Sequence, residues 1–88
     1  MSFCYVLKCT DGSYYTGSSR NIKKRLNSHN IGKVKYTKNR RPLKLVFVKY
    51  FEKYSDAFKF EMKVKSWKKR KSIECMLNKP DNIVKKFR

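Results

Sequence analysis

The sequence predicts an α+β fold, and three observations carry that expectation. Two short runs rich in β-branched and aromatic residues, FCYVLKC (3–9) and SYYTG (13–17), bracket the turn sequence TDG. A third such run, LVFVKYF (45–51), is the most apolar stretch of the chain. Two segments with helical spacing of apolar residues follow, one after Gly17 and one from Ser55.

The first two runs read as a hairpin whose turn decides which side chains meet. A two-residue Asp11-Gly12 loop sends Tyr5 and Tyr15 to opposite faces of the sheet. A three-residue loop, Thr10-Asp11-Gly12, pairs Cys9 with Ser13 and Leu7 with Tyr15, so the two tyrosines share a face. The second register is favoured, because glycine fits the left-handed site at the end of that loop. Gly17 then permits either the turn from strand into helix or the close approach of a substrate.

In SSRNIKKRLNSHNIG (18–32), Ser18, Ser19 and Asn21 offer N-cap oxygens and Gly32 a stop, so about three helical turns fit between them. Helical spacing puts Ile22 and Leu26 on one face with Arg25 and His29. Two cationic or titratable side chains on an apolar stripe are unusual, and the bland alternative is an arginine stem lying along the stripe's edge. Residues 33–44, KVKYTKNRRPLK, have no clear period and read as a surface loop. Strand 45–51 is expected at the sheet's centre or against the helices.

From Ser55, taken as an N-cap, one long helix is expected to about residue 77, with Asp56 in its positive first turn. Ala57, Phe60, Val64 and Trp67 form its core stripe. Glu61 falls between that stripe and a second apolar pair, Phe58 and Met62, which surrounds a carboxylate with apolar neighbours. Residues 1–77 are read as one domain and 78–88, NKPDNIVKKFR, as a short, loosely held basic tail.

Charge narrows the partner. Twenty-four Lys and Arg against six Asp and Glu give 88 residues a net charge of +18, which a polyanion relieves. Nucleic acid is the expected partner, and a membrane surface fits less well because the apolar residues of the basic helix are spent on a core. No run approaches the roughly 18 to 20 apolar residues of a membrane span, and MSFCYV lacks a signal peptide's features, so a cytoplasmic location is expected. Cys4, Cys9 and Cys75 read as reduced structural thiols, and a single histidine argues against zinc.

An ordered set of short motifs runs through these elements: F-C-Y, ten residues on Y-T-G, then N-x-x-x-R-x-x-x-H, Y-T-x-x-x-x-P-L-x-L-V, and a helical A-x-x-x-E. Over about residues 3–77 this set resembles the GIY-YIG nuclease superfamily, in particular its small stand-alone bacterial members. The resemblance implies a small three-stranded antiparallel sheet flanked by helices and a site that hydrolyses DNA phosphodiesters with one divalent cation, Mg²⁺ or Mn²⁺; RNA is not excluded as a substrate. By position it implies Tyr5 and Tyr15 as the two motif tyrosines, Arg25 as the helix arginine, His29 one turn later, and Glu61 as the metal-binding carboxylate. Phe3, Cys4 and Thr16 replace the usual motif residues at backbone or packing positions. A later polar residue, often Asn in better-known branches, has no counterpart among Lys71, Ser72 and Ile73.

The residue types suit that chemistry. One carboxylate can hold a hydrated Mg²⁺, which stabilises developing charge and the leaving oxygen. Arg25 offers a permanently charged fork for phosphate. Tyr5 can act as a base if nearby cations lower its pKa from the reference value near 10, with His29 tuning the transfer or binding phosphate. Tyr36 with Lys35, Lys38, Arg40 and Arg41 reads either as a stacking and phosphate-contact loop or as an aromatic plug over the core. Lys68, Lys69, Arg70 and Lys71, in WKKRK, suit backbone contact with nucleic acid. The competing reading is a non-catalytic basic nucleic-acid-binding module.

Overall fold

The alternating apolar pattern of the first strand builds the centre of the molecule. In the computed structural model, which describes residues 1–34, 37–67 and 70–87, strand β1 (Ser2–Lys8) lies between β2 (Tyr14–Ser19) and β3 (Lys44–Phe51) in an antiparallel sheet of order β2-β1-β3. Helix α1 (Ile22–Asn30) covers one face, and α2 (Tyr54–Lys65) and α3 (Arg70–Leu77) the other. The result is an α+β fold with a three-stranded antiparallel sheet and three helices.

Six of the seven β1 residues are buried because both sheet faces are covered. Phe3, Tyr5 and Leu7 point to the α1 side with Ile22, Leu45 and Val48, while Val6 points to the α2 side with Phe47, Val64 and Met76. A register shift between Val6 and Leu7 lets Leu45 and Phe47 serve opposite faces. Fully burying a side chain such as Phe47 contributes roughly 2 to 3 kcal/mol.

The hairpin has the three-residue loop: Leu7 faces Tyr15, the Cys9 amide donates to the Ser13 carbonyl at 2.8 Å, and Gly12 takes φ +85°. Tyr5 and Tyr15 therefore share a face.

Of the two places expected for β3, it takes the one against the helices: it lies at a sheet edge, and its Phe47 stacks on Phe60 of α2 at 6.2 Å. Three expectations are corrected. The helix expected over 55–77 is two helices: α2 ends at Lys65, where the Ser66 hydroxyl donates back to the Lys63 carbonyl at 2.6 Å. Ser55 lies inside α2, whose N-cap residue Lys53 makes no side-chain cap. The C-terminal segment, expected to be loose, closes the edge of β3. There the Asn82 side chain accepts from the Val48 amide at 3.1 Å and donates to the Val46 and Leu77 carbonyls. Val84 is buried, and Phe87 meets Phe3 edge-on at 5.6 Å. The side-chain amide thus satisfies polar groups of an otherwise open strand edge.

Candidate active site

The site starts from the face that α1 presents to the sheet. Asn21 caps the helix, its side-chain oxygen accepting from the Lys24 amide at 3.0 Å. Ile22 and Leu26 enter the core from the inward stripe, and Arg25 and His29 reach Tyr5 from the same stripe. The Tyr5 hydroxyl accepts from Arg25 Nε at 3.2 Å and meets His29 Nε2 at 3.1 Å. His29 Nδ1 lies 2.8 Å from Thr37 Oγ1, and the Thr37 hydroxyl donates to the Val34 carbonyl. A Thr37 hydroxyl turned to Val34 accepts from Nδ1, and in that tautomer Nε2 is bare and Tyr5 donates to it.

Gly17 makes room for this arrangement. It stands opposite Tyr5 inside β2, and a Cβ there would lie 2.6 Å from the Tyr5 hydroxyl oxygen. Its role is to let the phenol lie across the edge strand, rather than to turn the chain into the helix.

Burial sets the protonation states. It pushes the Tyr5 hydroxyl up to about 12, and the opposing pull of the Arg25 hydrogen bond and charge is smaller. The expectation that surrounding cations lower this pKa is therefore corrected: desolvation outweighs them. His29, fully buried, is pushed down to about 4, by burial first and the Arg25 charge second. Near neutral pH, Tyr5 is a phenol and His29 a neutral imidazole. Arg25 is held charged most strongly by its hydrogen bond to Tyr5, with Tyr15 adding to it.

Tyr15 packs edge-on against His29 at 4.9 Å between ring centres. Glu61 belongs to the other face of the sheet. It bonds Ser18, whose side chain points to the opposite face from that of Tyr15 along β2. Glu61 is nearly buried, at 7% exposed; Oε1 accepts from the Ser18 hydroxyl at 2.6 Å and Oε2 from Lys65 Nζ at 2.7 Å. The Glu61 hydrogen bond holds the half-exposed Lys65 ammonium above its ordinary pKa. Lys65 Nζ also lies 5.9 Å from the Tyr15 ring centre, so this lysine joins the two faces around the β2 edge.

Glu61 can hold a hard divalent cation. Among the described residues no group of three or more His, Cys, Asp or Glu is clustered for a metal, so an ion here relies on one carboxylate, water and substrate oxygens. That donor set suits Mg²⁺ or Mn²⁺ and excludes a closed protein cage. Lys65 supplies the counter-charge at the same carboxylate.

The basic residues expected to meet nucleic acid divide. Lys35, Tyr36, Lys68 and Lys69 lie outside the described residues. Lys38 and Arg40 form a short 3₁₀ turn, with Arg40 3.7 Å from Asp11. Arg41 is exposed, but its guanidinium donates to the Asn30 and Lys38 carbonyls and helps close the end of α1. Arg70 lies over the Tyr14 ring at 5.2 Å, and Lys71 is exposed.

Sequence reasoning missed Ser18, Thr37 and Lys65. Lys65 had a legible signal, four residues after Glu61 on the same helix. Thr37 stood in the Y-T-x-x-x-x-P-L-x-L-V motif without a role of its own, and Ser18 had no signal, since a hydroxyl's partner depends on what the fold brings to it.

Comparison with known proteins agrees with this architecture. Residues 1–74 match the model of the GIY-YIG catalytic domain. The UPF0213 protein of Staphylococcus saprophyticus is 42% identical over 75 residues, covering 84% of this chain and 92% of the relative. A UPF0213 protein of Staphylococcus aureus has the same identity and coverage. The solution NMR structure of the UPF0213 protein BH0048 from Bacillus halodurans superposes with a TM-score of 0.56 at 36% identity, covering 86% of this chain and 83% of that one. Among the described residues no helix is long and apolar enough to cross a membrane.

Proposed function

The chain belongs to the GIY-YIG catalytic-domain family, and on that footing we propose that it is an endonuclease hydrolysing DNA phosphodiester bonds with one divalent cation in the cytoplasm. One observation carries this reading: a single phenolic oxygen accepts from Arg25 Nε at 3.2 Å and lies 3.1 Å from His29 Nε2, the nitrogen to which it can pass its proton. A water approaching a phosphate here gives its proton to the Tyr5 oxygen while Tyr5 passes its own to His29, so no free phenolate forms. His29 must be neutral to accept, and burial keeps it so above about pH 4.

Arg25 spends donors on Tyr5 and Tyr15, and the rest of its five N–H groups remain for a phosphate oxygen. Glu61 holds the cation, Mg²⁺ or Mn²⁺, which supplies charge stabilisation at the phosphate and the leaving oxygen when bound. Lys65 can withdraw from Glu61, because its side chain is half exposed. Lys38, Arg40, Arg70 and Lys71, with Lys35, Lys68 and Lys69, provide sequence-independent phosphate contacts.

The test is a panel of single-stranded, nicked, flapped and branched DNAs incubated with the protein, with and without Mg²⁺. Mg²⁺-dependent products are expected from the natural chain and none from Glu61→Ala, which still binds DNA. Binding without cleavage of any substrate rejects the nuclease reading and leaves a non-catalytic nucleic-acid-binding module.

A further inference from the structure

The break between α2 and α3 opens a cleft that the reaction chemistry above does not use. It has a volume of about 460 Å³ and lies between β2 and the α2–α3 junction, lined by Tyr14, Tyr15, Val64, Lys65, Trp67 and Ile73. That size is in the range of small-molecule sites. Tyr14 and Trp67 bring aromatic residues to its wall, Tyr15 reaches it at the β2 edge, and Arg70 sits over the Tyr14 ring. Two of its residues also belong to the candidate site: Tyr15 packs on His29, and Lys65 bonds Glu61.

We propose that this cleft receives a nucleobase, that of the nucleotide next to the phosphate lying at Tyr5 and Glu61. The ligand must offer a flat apolar body to the rings and a negative charge within reach of Lys65 and Arg70. A nucleotide unit of a polynucleotide strand has both, and aromatic side chains stack on any base through its π-face. A second copy of this chain brings +18 against +18 and is disfavoured at such a surface. The inference deepens the nuclease reading, since the strand entering the cleft is the one whose phosphate reaches the candidate site.

Trp67 is the single tryptophan of the chain and lines the cleft, so its fluorescence reports occupancy directly. The natural full-length protein, without divalent cation, is titrated with a deoxyadenosine tetranucleotide, with an abasic strand of the same phosphate count, and with inorganic phosphate. The base-bearing strand should change Trp67 emission; the abasic strand and phosphate should not. Tyr14→Ala should weaken the base-dependent change by about tenfold, as loss of a stacking partner does. An equal response to the abasic strand or to phosphate alone overturns the proposal, as does an unchanged emission when anisotropy shows the tetranucleotide bound. Should Tyr14→Ala not fold, the natural protein's contrast between base-bearing and abasic strands decides alone. Because no step requires cleavage, a failed nuclease assay and a failed base response are separate results.

Discussion

The two sides of edge strand β2 hold the same kind of furniture, polar groups close to a sheet, in opposite states. On the α1 side Tyr5, His29 and Thr37 are buried, uncharged and joined in one directional chain of hydrogen bonds. On the α2 side Glu61 faces a half-exposed cationic partner, Lys65. The difference teaches that desolvation fixes proton positions where every partner is buried and neutral, whereas a nearly buried carboxylate is matched by a cationic partner that reaches solvent. Three experiments sharpen or break that contrast.

The largest effect is expected at Gly17. Alanine there drives a Cβ to 2.6 Å from the Tyr5 oxygen and 2.7 Å from its ring carbon, so the buried phenol must leave its place between Arg25 and His29. We expect a loss of roughly 1 to 3 kcal/mol in urea unfolding, the usual cost of overpacking, together with loss of cleavage. Unchanged stability means that the α1 side is looser than its burial implies.

The second effect is on pH. Folded His29 binds its proton only near pH 4, against 6.5 for an ordinary histidine. Between those values the unfolded chain binds more protons than the native one, so the native state loses stability as pH falls. The contribution is complete above about pH 6.5 and is lost as pH drops through about 4. The melting temperature should decline over that window, and His29→Gln, which does not titrate, should decline less. Identical acid limbs for the two proteins place the proton uptake elsewhere.

The smallest change in stability is expected from Lys65→Met. An exposed i,i+4 pair contributes about 0.3 to 0.5 kcal/mol, and with Lys65 half exposed but Glu61 nearly buried the loss here is expected at roughly 1 kcal/mol. Mn²⁺ affinity, read by calorimetry, should rise, since the ammonium no longer neutralises Glu61. Weaker Mn²⁺ binding shows that Lys65 is not a competitor at that oxygen.

Much of this was legible in the residues. The left-handed preference of Gly12 selects the hairpin register, and that register puts Tyr5 and Tyr15 on one face. Helical spacing collects Ile22, Arg25, Leu26 and His29 on a single stripe. What misled was continuity: the apolar and basic pattern from 55 to 77 has no breaker residue, and the stop at Lys65 is made by Ser66 bonding backwards. The tail misled for the opposite reason, because its basic composition hides Asn82, one side chain that satisfies backbone groups of β3 and the end of α3.

The sequence by itself determined the three strands, the first helix and the polyanion-seeking charge, and it favoured the shared face of the two tyrosines, because turn chemistry, periodicity and net charge are local or additive properties. Only the tertiary structure decided that Tyr5 keeps its proton, that its oxygen lies between Arg25 and His29, and that Ser18 meets Glu61. Desolvation and hydrogen-bond direction depend on which groups distant parts of the chain bring together, and no window of sequence contains both partners.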